Sequence, residues 1–256
     1  MILALDVGNT NIVIGCVDEN GVKFRERIST DSNKTEMEYA VLFKTIIELH
    51  KIDVKTLDGV MISSVVPPLK PVLRDALSAV TGLVPVNVNV KGNHGLKINM
   101  DNPRQMGCDL LVDSVAALAE YPAPIIIFDM GTATTVSVLD KYGVYISSII
   151  LPGIQISQDA LSGRTSQLPR ISYEAPEGGI LAKNTIDSMK SGLVYGTAAM
   201  MDGLVERIEE ELGEKASVIA TGGLARFVSE HCRRKIVCDD DLLLKGLWIL
   251  WKKQKR

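Results

Sequence analysis

Ile2-Leu3-Ala4-Leu5-Asp6-Val7-Gly8-Asn9-Thr10 opens the chain, and Ile125-Ile126-Ile127-Phe128-Asp129-Met130-Gly131-Thr132 returns to the same grammar near its middle. Each copy is a short apolar run followed by Asp-x-Gly and a small polar residue. An apolar run of that length reads as a buried strand. Residues 11–17 and 22–28 then read as two more strands, with Asn20-Gly21 marking a tight hairpin between them. After the second copy, residues 134–139 and 144–150 repeat the pattern around Lys141-Tyr142-Gly143. Strand, Asp-x-Gly, strand, turn, strand, occurring twice, predicts a duplicated α/β unit.

Working outward, residues 36–50 place Tyr39, Leu42, Phe43, Ile46 and Ile47 at helical spacing. A strand at 59–63, a helix at 69–80 and a strand at 84–90 complete the first half. In the second half, helices are expected at 154–161 and 187–212, the latter interrupted near Gly192 or Gly196. Residues 217–220 form a strand that runs into Thr221-Gly222-Gly223, followed by a helix to 230; a last helix covers 242–253. Each half thus reads as a β-β-β-α-β-α-β unit. No Ser/Gly/Pro-rich linker parts the halves, so the join falls in a helix-like stretch at 108–121, with lobes at 1–117 and 118–256 packed around a cleft.

In the 256 residues, 46% hydrophobic and 23% charged content describes a well-packed globule rather than a disordered chain. A formal net charge of −3 gives no electrostatic footprint for nucleic acid. No apolar run approaches the roughly 18 residues of a membrane span, and no charged segment precedes a long apolar stretch, so neither a membrane anchor nor a secretory signal is expected. Cys16, Cys108, Cys232 and Cys238 show no framework spacing. His231, Cys232 and Cys238 lack an evident fourth ligand for zinc. These features favour a reduced, cytoplasmic setting. The basic end, Lys252-Lys253-Gln254-Lys255-Arg256, reads as a solvated helix terminus.

The repeated motif has a chemical reading. An aspartate at the end of a buried strand suits a hydrated Mg²⁺. Gly8 lets backbone approach a phosphate closely, and Asn9 and Thr10 add side-chain donors. Ordinary turn chemistry would also accept these residues. The second copy, dense in hydroxyls at Thr132, Thr134 and Thr135, and the paired Gly222-Gly223, which let a flat base lie against backbone, shift the reading toward a nucleotide.

In order and spacing these motifs resemble the actin-like (ribonuclease H-like) kinases, two-lobed α/β proteins with ATP in the interlobe cleft. More narrowly, the chain resembles the bacterial type III pantothenate kinases nearly end to end. The likeness runs through Asp6-Val7-Gly8-Asn9-Thr10, Arg27-Ile28-Ser29-Thr30, Ser63-Ser64-Val65-Val66-Pro67-Pro68 and Gly107-Cys108-Asp109. It continues through Asp129-Met130-Gly131-Thr132-Ala133-Thr134-Thr135, Leu151-Pro152-Gly153-Ile154, Asn184-Thr185-Ile186-Asp187, Ala220-Thr221-Gly222-Gly223 and Leu244-Lys245-Gly246-Leu247. The resemblance implies phosphoryl transfer from ATP to the terminal hydroxyl of pantothenate, the first step of coenzyme A synthesis, by a cytoplasmic homodimer.

It further implies roles for matching residues. Asp109 corresponds to the proton acceptor. Asp6, Val7, Gly8, Asn9, Thr10, Asn11, Ile12 and Val13 correspond to the phosphate-binding segment, with Asp6 on the Mg²⁺ side. Thr132, Gly222 and Gly223 correspond to further ATP contacts, and Asp129 to the ligand of a monovalent cation, K⁺ or NH₄⁺. Met100, Gly107, Cys108, Asp109 and Leu110 correspond to the acceptor site, with Thr185, or Asn184 beside it, reaching it across the dimer interface. Here Leu110 stands where the family carries arginine, and Met100 where it carries tyrosine. Val136-Ser137 replaces a Phe-Asp pair, and Ser147-Ser148 a Gly-Gly pair. Arginine is a permanently charged fork suited to a carboxylate, and leucine supplies neither charge nor donor. The departures leave two other readings open: a nucleotide-binding paralogue with an accessory role, and a kinase for another small alcohol.

Overall fold

A computed structural model describes residues 1–254; Lys255 and Arg256 of the basic tail lie outside them. In chain order the first half holds β1 (Ile2–Val7), β2 (Asn11–Asp18), β3 (Gly21–Ser29), α1 (Glu36–Leu49), β4 (Gly59–Ser64), α2 (Leu69–Thr81), β5 (Val86–Asn87), β6 (Lys97–Ile98) and α3 (Cys108–Glu120). The second half holds β7 (Ile125–Met130), β8 (Ala133–Leu139), β9 (Val144–Pro152), α4 (Ile154–Arg164), α5 (Thr185–Ser191), α6 (Thr197–Leu212), β10 (Ser217–Thr221), α7 (Ala225–Ser229), β11 (Val237–Cys238) and α8 (Leu242–Gln254). The chain parts into two compact units. One comprises Met1–Leu96, Asp101–Ala119 and the segment from Asp241; the other comprises Lys97–Met100 and Glu120–Asp240.

Each unit is built on one mixed sheet. In the first the order is β3-β2-β1-β4-β5; in the second it is β11-β10-β7-β8-β9-β6. Read from its β9 side, the second sheet repeats the first, with β6 added at one edge. In both, a strand bearing the Asp-x-Gly aspartate is central, antiparallel to its hairpin partner and parallel to the strand on its other side. The duplication expected from the motifs is therefore present in the strand order itself.

Alternation along the strands sorts their side chains. In the first unit Leu3, Leu5, Val7, Ile12, Ile14 and Cys16 join Tyr39, Phe43, Leu73 and Leu77 of α1 and α2 in one buried core. Burying each such Leu, Ile or Phe contributes about 1.5–3 kcal/mol. α1 is started by a capping box, in which Thr35 receives the Glu38 N–H and the Glu38 carboxylate receives that of Thr35. The opposite face carries Ala4, Asp6, Gly15, Gly59 and Ser63, where small residues admit helices closely. A methyl on Gly59 would strike the Trp251 ring of α8, and one on Gly246 of α8 would strike the Val112 backbone of α3. In the second unit Ile126, Phe128, Met130, Val136, Val218 and Ala220 form the corresponding core with Ile154, Met201, Val205 and Val228.

Three features depart from the sequence expectation. The strand placed at 84–90 is the two-residue β5, and β6 and β11, also two residues each, were not foreseen. Strands that short carry no periodic signal. The interruption expected near Gly192 or Gly196 is a π-helical turn, Gly192–Gly196, that joins α5 to α6 without ending the helix. Among the described residues no helix is long and apolar enough to cross a membrane.

Candidate active site

Asp6 occupies the next-to-last position of β1, half-buried, directly across from Val13 of β2 and beside Ser63 of β4. The strand therefore runs one residue past the aspartate, and the buried Val7 anchors it from the opposite face. Gly8 begins the turn, its N–H donating to Asn11 O at 3.0 Å. A side chain at position 8 would come to 3.2 Å from that same oxygen, so glycine keeps the turn tight. Asn9 and Thr10 project into solvent. Behind them, Thr30 closes the turn: its hydroxyl donates to Gly8 O at 2.7 Å and its N–H to Thr10 O at 2.9 Å.

Asp129 holds the equivalent place in β7, across from Thr135 of β8 and beside Thr221 of β10. Directly paired residues share a sheet face, so three oxygen-bearing side chains line up there. The Thr135 hydroxyl oxygen is buried without a hydrogen-bond partner. The turn Gly131-Thr132 is exposed, and Gly131 N–H donates to Ala133 O at 3.1 Å. Two glycines press against this hairpin. A methyl on Gly153 would collide with Thr132 O, and one on Gly222 would lie 2.6–2.8 Å from the backbone of Met130. Gly222 also has φ +95°, a region that L side chains rarely adopt. Gly223 beside it is exposed.

Asp109 lies in the first turn of α3, where a carboxylate suits the helix dipole. Its Oδ1 accepts from the Leu110 N–H at 2.9 Å, and a methyl on Gly107 would overlap that oxygen. Burial pushes the Asp109 carboxyl above the usual range, against the lowering pull of backbone N–H groups. Cys108, immediately before it, packs its thiol on Ser63 and Ser64 at the end of β4. The first unit thus brings Asp6, Gly107, Cys108, Asp109 and half-buried Leu110 onto neighbouring elements.

Met100 ends the segment Lys97–Met100, which belongs to the second unit through the pairing of β6 with β9 and the Asn99 N–H to Tyr145 O bond of 2.8 Å. Ser137 is buried, and its hydroxyl lies 3.2 Å from that of the fully buried Tyr145. Ser147 is exposed and Ser148 half-buried on β9. Thr185, exposed, starts α5 behind the cap residue Asn184, whose side chain accepts from the Asp187 N–H at 2.9 Å. Both border a cavity of about 970 Å³ within the second unit, walled by Leu151, Pro152, Leu161, Met189, Leu193 and the π turn. That cavity does not include Asp109.

A model of the family described as "Type III pantothenate kinase" matches residues 2–207. A type III pantothenate kinase of an Exiguobacterium species is 43% identical over 256 residues, covering 100% of both chains. That of Exiguobacterium sibiricum is 41% identical over 255 residues, again covering 100% of both. The chain belongs to the type III pantothenate kinase family. Among solved structures, component A of the (R)-2-hydroxyglutaryl-CoA dehydratase of Acidaminococcus fermentans superposes with TM-score 0.55 at 14% identity, covering 100% of this chain and 99% of that one. At that identity the likeness speaks for the fold alone, and the fold is the α/β actin-like one.

Several residues that hold the candidate site's turns and strands in place carry no sequence signal as such. Thr30 was visible as part of Arg27-Ile28-Ser29-Thr30, but its grip on Gly8 depends on the β2–β3 register. Gly153 was visible in Leu151-Pro152-Gly153-Ile154, but not as the floor under Thr132. Tyr145 carries no motif of its own, because its partner Ser137 lies across a hairpin. The His231–Cys232–Cys238 corner is taken up by packing: His231 stacks edge-on against Tyr195, the Cys238 thiol lies 2.8 Å from the Ser229 hydroxyl, and burial pushes the Cys232 thiol up to about 12. Among the described residues no group of three or more His, Cys, Asp or Glu is placed to hold a metal ion.

Proposed function

We propose that this protein transfers the γ-phosphoryl group of ATP to the terminal primary hydroxyl of pantothenate, forming 4′-phosphopantothenate for coenzyme A synthesis. The observation that carries the reading is the Asp109 carboxylate, held at the start of α3 in a family member matched over its full length. Its burial raises its affinity for a proton, which suits a group that must take one from an alcohol. A positioned base of this kind contributes about 10²- to 10⁴-fold. The remaining barrier falls through in-line placement and charge stabilisation, since phosphoryl transfer has a loose transition state.

In this reading the exposed turn residues Asn9 and Thr10 donate to the phosphates, with Thr132 contributing from the second hairpin and Gly222-Gly223 offering flat backbone to the adenosine. Asp6, half-buried at a strand end, has the chemistry to orient waters around a Mg²⁺, which when bound with ATP offsets phosphate charge. Asp129 and the unpartnered Thr135 hydroxyl oxygen form an anionic and a neutral oxygen on one sheet face, a donor pair suited to K⁺ or NH₄⁺. Met100, Gly107, Cys108 and Leu110 border the acceptor. We further infer a cytoplasmic homodimer; for the dimer, Ile180, Leu181 and Ile186 are exposed close to Thr185 in the chain, and Ile150, Ile156 and Leu161 are exposed earlier in the same unit, apolar surface of the kind that an association face uses.

The test is a coupled assay with ATP, Mg²⁺, K⁺ and millimolar pantothenate, run on the wild type and on Leu110→Arg. Turnover by the wild type is expected, with a lower KM for pantothenate in the variant as a charged fork returns beside the acceptor. Absence of phosphopantothenate from both proteins would end the reading. Leu110 itself favours one alternative, a less polar acceptor. Faster turnover of pantetheine than of pantothenate in the same assay would select it.

A further inference from the structure

A thiol joins the two carboxylate-bearing segments of the first unit. Cys108 Sγ donates to Ser64 O at 3.2 Å, and it accepts from Ser64 N at 3.2 Å and from Ser63 Oγ at 3.4 Å. Ser63 is the strand neighbour of Asp6, and Ser64 that of Val7. Asp109 is the next residue after Cys108. The path from one carboxylate to the other is therefore short: β1 to β4 by the sheet ladder, β4 to α3 through one sulfur atom, then a single peptide unit to Asp109. Both Asp6 and Asp109 lie within electrostatic reach of that sulfur.

The arrangement is directional. β4 ends at Ser64 and α3 begins at Cys108, so the sulfur ties a strand end to a helix start, the two places where backbone groups lack partners from their own element. Each contact to a thiol is weak, but three converging on one atom define a position rather than merely filling space. A methyl at 108 would leave Ser63 Oγ and the Ser64 backbone without this partner, and the first turn of α3 without these hydrogen bonds to the end of β4.

We propose that Cys108 is a positioning residue, setting Asp109 in register with the Asp6 strand through its bridge to Ser63 and Ser64. The proposal rests on Asp109 being the base of the reaction above. A shift of the helix start by a fraction of an ångström moves the carboxylate relative to its target, and misplacement of about 1 Å can cost on the order of 10²-fold.

Three proteins test it: wild type, Cys108→Ala and Cys108→Ser. In the alanine variant kcat is expected to fall about tenfold, a fraction of the full misplacement cost, while KM for ATP stays unchanged. The acid limb of its pH profile is expected to move to lower pH as Asp109 becomes better hydrated. Serine, which keeps a donor and an acceptor at the same place, is expected to recover most of the loss. Carbon-13 NMR titration of the Asp109 carboxyl, assigned with Asp109→Asn, gives a readout independent of turnover. A lower titration midpoint in Cys108→Ala than in wild type supports the proposal even if pantothenate turnover is absent, an outcome that would defeat the kinase reading alone. Wild-type kcat in the alanine variant, or an unmoved Asp109 titration, would overturn it.

Discussion

At the first hairpin the turn spans Gly8, Asn9 and Thr10, and a side chain braces it, with Thr30 bonding Gly8 O and Thr10 O from the end of β3. At the second the turn is only Gly131 and Thr132, and backbone braces it, with Gly153 and Gly222 pressed against Thr132 and Met130. Strand order and register around the two aspartates are otherwise the same. The difference teaches that duplication preserved the frame and not the means of holding it. A hydrogen-bonded brace can be weakened in steps, whereas a brace made of absent Cβ atoms tolerates almost nothing. The strand neighbours differ as well: Val13 and Ser63 flank Asp6, while Thr135 and Thr221 flank Asp129. The second site is therefore richer in neutral oxygen, which is the chemistry behind the two roles proposed above, K⁺ or NH₄⁺ at Asp129 and Mg²⁺ at Asp6.

The largest expected effect separates those two roles. Asp6→Asn and Asp129→Asn should each lower kcat by about 10²–10³, the scale for losing one preorganised electrostatic group. Only the Asp129 variant should lose activation by K⁺ in a salt titration. Equal K⁺ dependence in both would erase the distinction. Next in size is the steric brace: Gly222→Ala meets Met130 backbone at 2.6 Å with φ +95°, and should cost about 2–4 kcal/mol in denaturant melts. Thr30→Val, which removes a hydroxyl from the first brace, should cost about 1 kcal/mol and raise KM for ATP a few-fold, with Thr30→Ser largely restoring both. If valine proved as damaging as the glycine change, the contrast between graded and steric bracing would fail.

The smallest effect concerns pH. The folded Asp109 carboxyl titrates above its unfolded value, so its ionisation costs stability once pH exceeds the folded pKa, and that cost is relieved as pH falls through it. Asp109→Asn should thus be slightly more stable than wild type at neutral pH, the gap closing in acid. Thermal melts across that range read it directly.

Much of the frame was legible in the residues because it rests on local pattern. Apolar runs at 2–5 and 125–128 announced β1 and β7, and Gly192 and Gly196 flagged the break in the long helix that proved to be a π turn. What escaped depends on pairs far apart in the chain. Cys108 meets Ser63 and Ser64 across more than forty residues, and no spacing rule links them. Ser137 read as a lost carboxylate, yet its hydroxyl is matched by that of Tyr145, because a hairpin bulge between Val138 and Leu139 sets the two together. The cavity beside Thr185 likewise depends on how α4 lies along α5 and the π turn. Of the candidate site, the motifs point to Asp6, Asp109 and Asp129 as candidates but say nothing of the braces that hold them.

The most direct test of the central claim is product formation from ATP and pantothenate by the wild type beside Asp109→Asn, with phosphopantothenate identified by mass. The expectation is ready turnover by the wild type and a loss of at least about 10²-fold in the variant, with ATP binding retained in both. Phosphopantothenate formed at equal rates by the two proteins would contradict the assignment of Asp109, and none from either would contradict the kinase itself.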